Sequence, residues 1–134
     1  MAEAQGPDMG AASELVACYL AAWCERRSAA RRRLLERCWG DDGGFSSWTT
    51  HVQGLDALDA HIAAGQRHTP RRSHRTHTGE LFVSGRKVSY TWELVDHDGT
   101  VLLEGSDFVE LGEHGKISRV TSFAGRPAER PALP

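Results

Sequence analysis

The chain contains no apolar run approaching the roughly 20 residues that span a bilayer, so a helical membrane anchor is not expected. Residues Met1 to Ala12 carry no basic segment followed by an apolar core, and a secretory signal needs both. Together these absences lead us to expect a cytoplasmic protein. Cysteine is scarce, at positions 18, 24 and 38. An odd count without C-x-x-C spacing supports neither a disulfide framework nor a zinc site. Cys18, Cys24 and Cys38 fall in helical patterns and read as small buried hydrophobes, and no Cys/His/Asp set suggests a thiol protease. Excess charge is missing too: 16 basic against 18 acidic residues leave a net −2, too little to draw the molecule to nucleic acid or to anionic lipid. No glycine-rich loop follows a strand and opens a helix, so neither nucleotide binding nor a cofactor is indicated.

What is present suits one globular domain. Its 134 residues, 40% hydrophobic and 25% charged, fall within the usual single-domain range. That length can bury about two-thirds of the unfolded surface. The ends are set apart: 1–12 is small and polar with Gly and Pro, and 126–134 holds three of the five prolines. Both are expected to be disordered, leaving 13–125 as the domain.

Ser13 is placed to cap a first helix, in which Leu15, Val16, Tyr19, Leu20 and Trp23 form one stripe. Ser28 is placed to cap a second, with Leu34, Leu35, Cys38 and Trp39 as its apolar stripe and Gly40 as its stop. Arg31, Arg32, Arg33 and Arg37 lie mostly off that stripe and read as a solvated face. Phe45–Val52 reads as a short irregular strand. After Gly54, the spacing of Leu55, Leu58 and Ile62 predicts a third helix, stopped by Pro70.

Beyond Pro70 the period changes to two. His74–Ser84, Lys87–Val95, Thr100–Leu111 and Lys116–Phe123 are strand candidates, separated by Ser84-Gly85, Asp98-Gly99 and His114-Gly115 hairpin signals. Helices followed by an antiparallel meander give an α+β fold. We expect a cone: three helices packed on a curved, mainly antiparallel sheet of four to six strands, enclosing a pocket.

One residue breaks the alternation. Val88, Tyr90, Trp92 and Leu94 share one face of their strand; on the next, Val101, Leu103, Gly105, Asp107, Val109 and Leu111 share one face. The phase puts the Asp107 carboxylate among buried apolar neighbours, where desolvation raises its pKa towards a useful acid/base range. In the same phasing Thr91, Glu93, Ser106, Phe108 and Ser122 face outwards. His74 and His77 point to opposite faces of one strand, a poor geometry for a shared metal, and no metal site is expected. His61 on the third helix and His77 could border the pocket as proton partners of Asp107, whereas His97 and His114 fall in hairpin loops. The basic run from His68 to Arg75 lacks interleaved aromatics, so nucleic-acid binding is not expected. Trp23 and Trp39 lie on helix stripes. Trp48 and Trp92 are better placed as aromatic walls for a flat apolar ligand.

Three stretches resemble a known family: Leu15–Trp23 (LVACYLAAW), Val52–Ile62 (VQGLDALDAHI) and above all Trp92–Phe123 (WELVDHDGTVLLEGSDFVELGEHGKISRVTSF). The chain is similar over 13–125 to the nuclear transport factor 2-like superfamily, in its SnoaL-like and ketosteroid-isomerase-like branch. The resemblance implies an oxyanion site at Tyr19 and Asp107, the positions of the ketosteroid isomerases' helix Tyr and strand Asp. A protonated Asp107 would donate to an enolate oxygen, as the neutral acid of ketosteroid isomerase does, and Tyr19 would add a second donor. The isomerases' proton-abstracting Asp-Pro pair is replaced by Ser47-Trp48. The Arg of related epoxide hydrolases is replaced by Gly105. SnoaL-like polyketide cyclases, which rely on an Asp of this strand without that base, are the nearer match. The resemblance thus implies cofactor-independent proton transfer on a small, apolar, polyketide-like or cyclic ketone. Asp107 and Tyr19 are the catalytic candidates; Trp48, Tyr90, Trp92, Trp23, His61, His77 and Val120 are the substrate-binding candidates. It also implies a homodimer formed through the sheet. The alternative is a non-catalytic ligand-binding or dimerisation module of the same fold.

Overall fold

In the computed structural model, which describes residues 9–125, the helical stripe around Tyr19 begins earlier than its serine suggests. Helix α1 spans Met9–Cys24, and Ala12 is buried with Val16, Tyr19, Leu20 and Ala22. Residues 9–12, expected in a disordered N-terminus, are therefore helical, because Ala11 and Ala12 are strong helix formers and Ala12 has a core surface to cover. The expectations for 1–8 and 126–134 lie outside the described residues.

Helix α2 covers Ser28–Cys38. Ser28 is its first helical residue rather than its cap; Arg27 takes that position without a side-chain cap bond. Trp39, expected to close the helical stripe, instead opens strand β1, Trp39–Ser46. Its backbone is already extended, at φ −103 and ψ 129. Its indole N–H donates to the Gly43 carbonyl at 3.2 Å. A Cβ at Gly43 would collide with the Trp39 ring, so the glycine-rich segment that reads as a helix stop is a strand made thin enough for tryptophan to cross. The expected irregular strand at 45–52 resolves into the end of β1 and a short β2, His51–Gln53. Helix α3 follows at Leu55–Gln66.

The remaining strands are β3 His74–Ser84, β4 Lys87–Val95, β5 Val101–Leu111 and β6 Ile117–Ala124. The sheet order is β2-β1-β6-β5-β4-β3. Every pairing is antiparallel except β1 with β6, which is parallel. Gly85 and Gly99 take positive φ in the tight connections, as hairpin turns require. The three helices cover one face of this curled, unclosed six-stranded sheet. The buried core runs from Val16, Tyr19 and Leu35 through Trp39, Leu58 and Ile62 to Val88, Val109 and Val120.

The arginine-rich face of α2 is not uniformly solvated. Arg31 is 3% exposed. Its Nε donates to Asp59 of α3 at 2.5 Å, and one Nη donates to the Gln66 side chain and to the Glu25 carbonyl, each at 3.0 Å. Arg32 adds an exposed bond to Asp56 and a longer, part-buried one to Asp59 at 3.4 Å. Buried and bonded through Nε and one Nη, this guanidinium fixes α2 against α3; its loss leaves the Gln66 oxygen unpaired and Asp59 with only the longer bond from Arg32. Arg31→Ala is expected to lower the unfolding free energy by roughly 3 kcal/mol in urea titration, and Arg32→Ala to change it far less.

Candidate functional site

The site follows from the sheet register. Tyr90 of β4 lies directly opposite Asp107 of β5, and Asp107 lies opposite Ser122 of β6. Opposed residues share a face, so three polar side chains form a row across the inner surface of the sheet. Tyr90 donates its hydroxyl to Asp107 Oδ2 at 2.8 Å. Ser122 donates to Oδ1 at 2.6 Å, and the Trp92 indole N–H donates to the same oxygen at 2.9 Å. Trp92 reaches that oxygen from the next row because it faces Gly105. A Cβ there would lie 2.6 Å from the indole and closer still to the Phe123 carbonyl. Gly105 thus gives the indole its berth.

Asp107 is 3% exposed. Burial pushes its carboxyl pKa up; the bonds from Ser122 and Tyr90, the Arg75 charge and the Trp92 bond pull it part of the way back, leaving it raised. Tyr90 is driven well above the usual phenol range by its own burial and then by the negative charge beside it.

The second half of the site is Arg75, which in the sequence is one member of a basic run. It stands on β3 opposite Leu94, two residues before His77, which faces Trp92. The guanidinium carbon lies 4.3 Å from the Trp23 ring centroid and 4.1 Å from that of Trp92. Two aromatic faces therefore enclose the cation. Burial lowers its pKa, opposed by the charges of Tyr19 and Asp107. The Arg75 backbone N–H donates to Cys24 Sγ at 2.9 Å, fastening the end of α1 to the start of β3. Trp23 meets His61 edge-on at 5.8 Å and Phe45 at 5.6 Å. His61 is held below its ordinary pKa by burial and then by the Arg75 charge.

Of the candidates named from sequence, Tyr90 and Trp92 meet Asp107 directly, as hydrogen-bond donors rather than as apolar walls. Tyr19 is buried and stacked on Trp39 at 5.7 Å. It lies close enough to Asp107 for that charge, after burial, to raise its pKa, yet among the described residues it shares no hydrogen bond with the carboxylate. Trp23 and His61 are half-buried, Trp23 against the Arg75 guanidinium and His61 against the Trp23 ring. Val120 is wholly buried, opposite Val109 and Phe45, and acts as core. His77 lines a separate surface cleft with Met9, Gly10 and Ser13. Trp48 sits in the β1–β2 turn, 91% exposed. The structure places it outside the site, because Ser47 and Thr50 close a tight backbone turn that holds it at the surface. Ser122 was expected on the outer face; it faces inward because β6 pairs with Asp107 at Ser122 itself. Among the described residues no three His, Cys, Asp or Glu side chains are grouped to hold a metal ion.

No family model matches the chain, and no curated protein matches it in sequence. Solved structures do. A proposed isomerase of the SnoaL-like family from Agrobacterium tumefaciens is 25% identical, with a TM-score of 0.81 over 88% of this chain and 100% of its own. A proposed SnoaL-like polyketide cyclase from Jannaschia is 14% identical, with a TM-score of 0.69 over 92% of this chain and 91% of its own. A de novo designed protein with a curved β-sheet is 13% identical at 0.67, over 89% of this chain and 88% of its own. The chain has the nuclear transport factor 2-like α+β fold, and its solved neighbours include SnoaL-like proteins. The designed neighbour shows that the scaffold alone implies no reaction.

The raised Asp107 pKa has a stability consequence of definite sign. The folded protein holds this proton more tightly than the unfolded chain, so stability falls as pH rises from the unfolded value of about 3.9 through the raised folded value. Asp107→Asn removes that contribution. In urea midpoints measured across this range, the difference between the Asp107→Asn variant and wild type is expected to shift in favour of the variant as pH rises, then to level off. A difference independent of pH would mean that Asp107 titrates as it does in the unfolded chain.

Proposed function

We propose that this domain is a cofactor-independent enzyme that moves a proton on a small cyclic or polyketide-like ketone, with Asp107 as the general acid/base. The supporting observation is a buried carboxylate that keeps its acid range high while three neutral donors fix its position. Oδ1 accepts from Trp92 and Ser122, whereas Oδ2 accepts only from Tyr90. A carboxylate oxygen has room for two such bonds, so Oδ2 retains a position for a substrate proton. Taken up there from a carbon next to a carbonyl, the proton leaves an enolate. Returned to another carbon, it completes an isomerisation; given to a β-hydroxyl as the enolate expels it, it completes a dehydration with loss of water; given to the alkoxide formed when the enolate carbon attacks a second carbonyl, it completes a ring closure. Tyr19, with its phenol held protonated by burial, is the second donor for the developing oxyanion. Trp23, His61 and Phe45 form the aromatic approach. The isomerases' base position is held here by Ser47, in the β1–β2 turn, and the proposed mechanism uses Asp107 as its only carboxylate. We place the protein in the cytoplasm, a reading supported by three free cysteines and their fit to a reducing compartment. No helix of the described residues is long and apolar enough to cross a membrane.

The test is exchange of the α-protons of 2-tetralone in D2O, followed by proton NMR. Wild type is expected to accelerate exchange. Asp107→Asn is expected to lose about 100- to 10,000-fold in that rate while binding the ketone within a few-fold. If wild type binds the ketone and accelerates nothing, the binding-module reading stands instead.

A second reading concerns assembly and has its own observation. On the outer sheet face Phe82, Phe108 and Phe123 are 67%, 38% and 58% exposed. They border one groove of about 450 Å³ with Thr78, Thr91 and Ser106. Apolar surface of this kind is suited to burial in an interface, and we propose a homodimer through this face. Sedimentation at micromolar concentration is expected to show a dimer that Phe123→Asp dissociates. A wild-type monomer would rule the assembly out.

A further inference from the structure

We propose that the ligand of this site carries a carboxylate, which the edge of the Arg75 guanidinium binds beside the Trp23 indole N–H, with its apolar ring against Trp23, His61 and Phe45. The proposal rests on the interior being a ligand site, and it narrows the ligand from an apolar ketone to an aromatic or cyclic acid.

Two observations carry it. The first is a mismatch of donors and acceptors. Among the described residues, Trp23 Nε1 and Arg75 Nε are buried without a hydrogen-bond partner. Both belong to side chains in face contact. The Tyr19 hydroxyl is near enough to the Trp23 indole for a hydrogen-bond-like contact that favours the ionised phenol against burial, but the indole N–H makes no hydrogen bond of ordinary geometry to it. Indole and guanidinium nitrogens only donate. The group that satisfies both must accept, and a buried donor without an acceptor is costly.

The second observation is the shape of the free surface. Trp23 covers one region of the guanidinium at 4.3 Å and Trp92 another at 4.1 Å. Stacking takes up the faces of a planar cation and leaves its edge, where the N–H groups lie. That edge matches two carboxylate oxygens side by side. No carboxylate of the described residues forms an ion pair with Arg75; Asp107 is already engaged by Tyr90, Trp92 and Ser122. Arg75, Trp23 and His61 are all half-buried, whereas Asp107 is buried. The acid group of a ligand therefore meets Arg75 nearer the surface than Asp107, whose carboxylate acts on the ring.

The experiment compares matched probes that differ only in charge, 2-naphthoate and 2-naphthamide at pH 7. Binding is read from tryptophan fluorescence, and the Trp23 indole N–H signal is followed by NMR, assigned with Trp23→Phe. Wild type is expected to prefer the acid by about tenfold or more, the range of a charged hydrogen bond, and the Trp23 indole proton is expected to move downfield. Arg75→Gln should abolish the preference and Arg75→Lys should keep part of it. Arg71→Ala, on the exposed basic surface, should leave it intact. Asp107→Asn should also keep it, which separates this proposal from the catalytic one: loss of exchange activity with retained acid preference defeats only the mechanism. Equal binding of the two probes by wild type, no binding of either at millimolar concentration, or an acid preference that survives in Arg75→Gln would each overturn the carboxylate seat. The wild-type comparison decides the matter even if Arg75→Gln fails to fold.

Discussion

The interior is organised by one side chain placed between opposite charges. Trp92 gives its indole N–H to Asp107 at 2.9 Å and offers its ring face to Arg75 at 4.1 Å. An aromatic ring is electron-poor at its edge and electron-rich over its face, so one indole satisfies an anion and a cation at once. This requires Trp92 to lie flat over Gly105, where a Cβ would collide with it. It also requires β4, β5 and β6 to keep their register, since Tyr90 and Ser122 reach the same carboxylate from either side. A slip of one residue in either ladder would turn those donors to the outer face. The register of the sheet and the chemistry of the site are therefore one constraint.

Buried Arg31 and half-buried Arg75 show how differently the same group can be used. Arg31 has its charge answered within the protein: Asp59, the Gln66 oxygen and the Glu25 carbonyl receive its donors, and the helices α2 and α3 are tied as a result. Arg75 has its faces covered and its Nε unanswered. One guanidinium is tied into the packing of two helices, and the other is held mainly by aromatic faces.

Strand parity made Asp107 legible in the sequence, because alternation depends only on neighbours along the chain. The three helices and four β3–β6 segments were legible for the same reason. What was not legible depends on pairing between distant segments. Ser122 reads as outward-facing until the β5–β6 register sets it opposite Asp107. Trp39 reads as the end of a helical stripe, although a glycine-rich strand is there to receive its ring. Val101 and Leu103 share Asp107's parity yet are exposed, since parity says which face a residue takes and not whether anything covers that face. Arg75 did have a local signal, the same parity as His77, but an arginine within a basic run reads as solvated until two tryptophans from α1 and β4 are seen around it.

The separation of Asp107 from Arg75 bears most directly on function. A carboxylate and a guanidinium in one low-dielectric interior attract strongly, and direct contact would return part of the cost of burying both. Such a pair would also pull the carboxyl pKa down and occupy the edge of the guanidinium. Here Trp92 stands between them, and neutral donors hold the carboxylate instead. Burial then remains the larger influence on Asp107, which stays raised despite the nearby cation, and Arg75 keeps an edge free. An interior arranged only for stability would gain by letting the two meet; kept apart, Asp107 retains its raised pKa and the Arg75 Nε retains no partner.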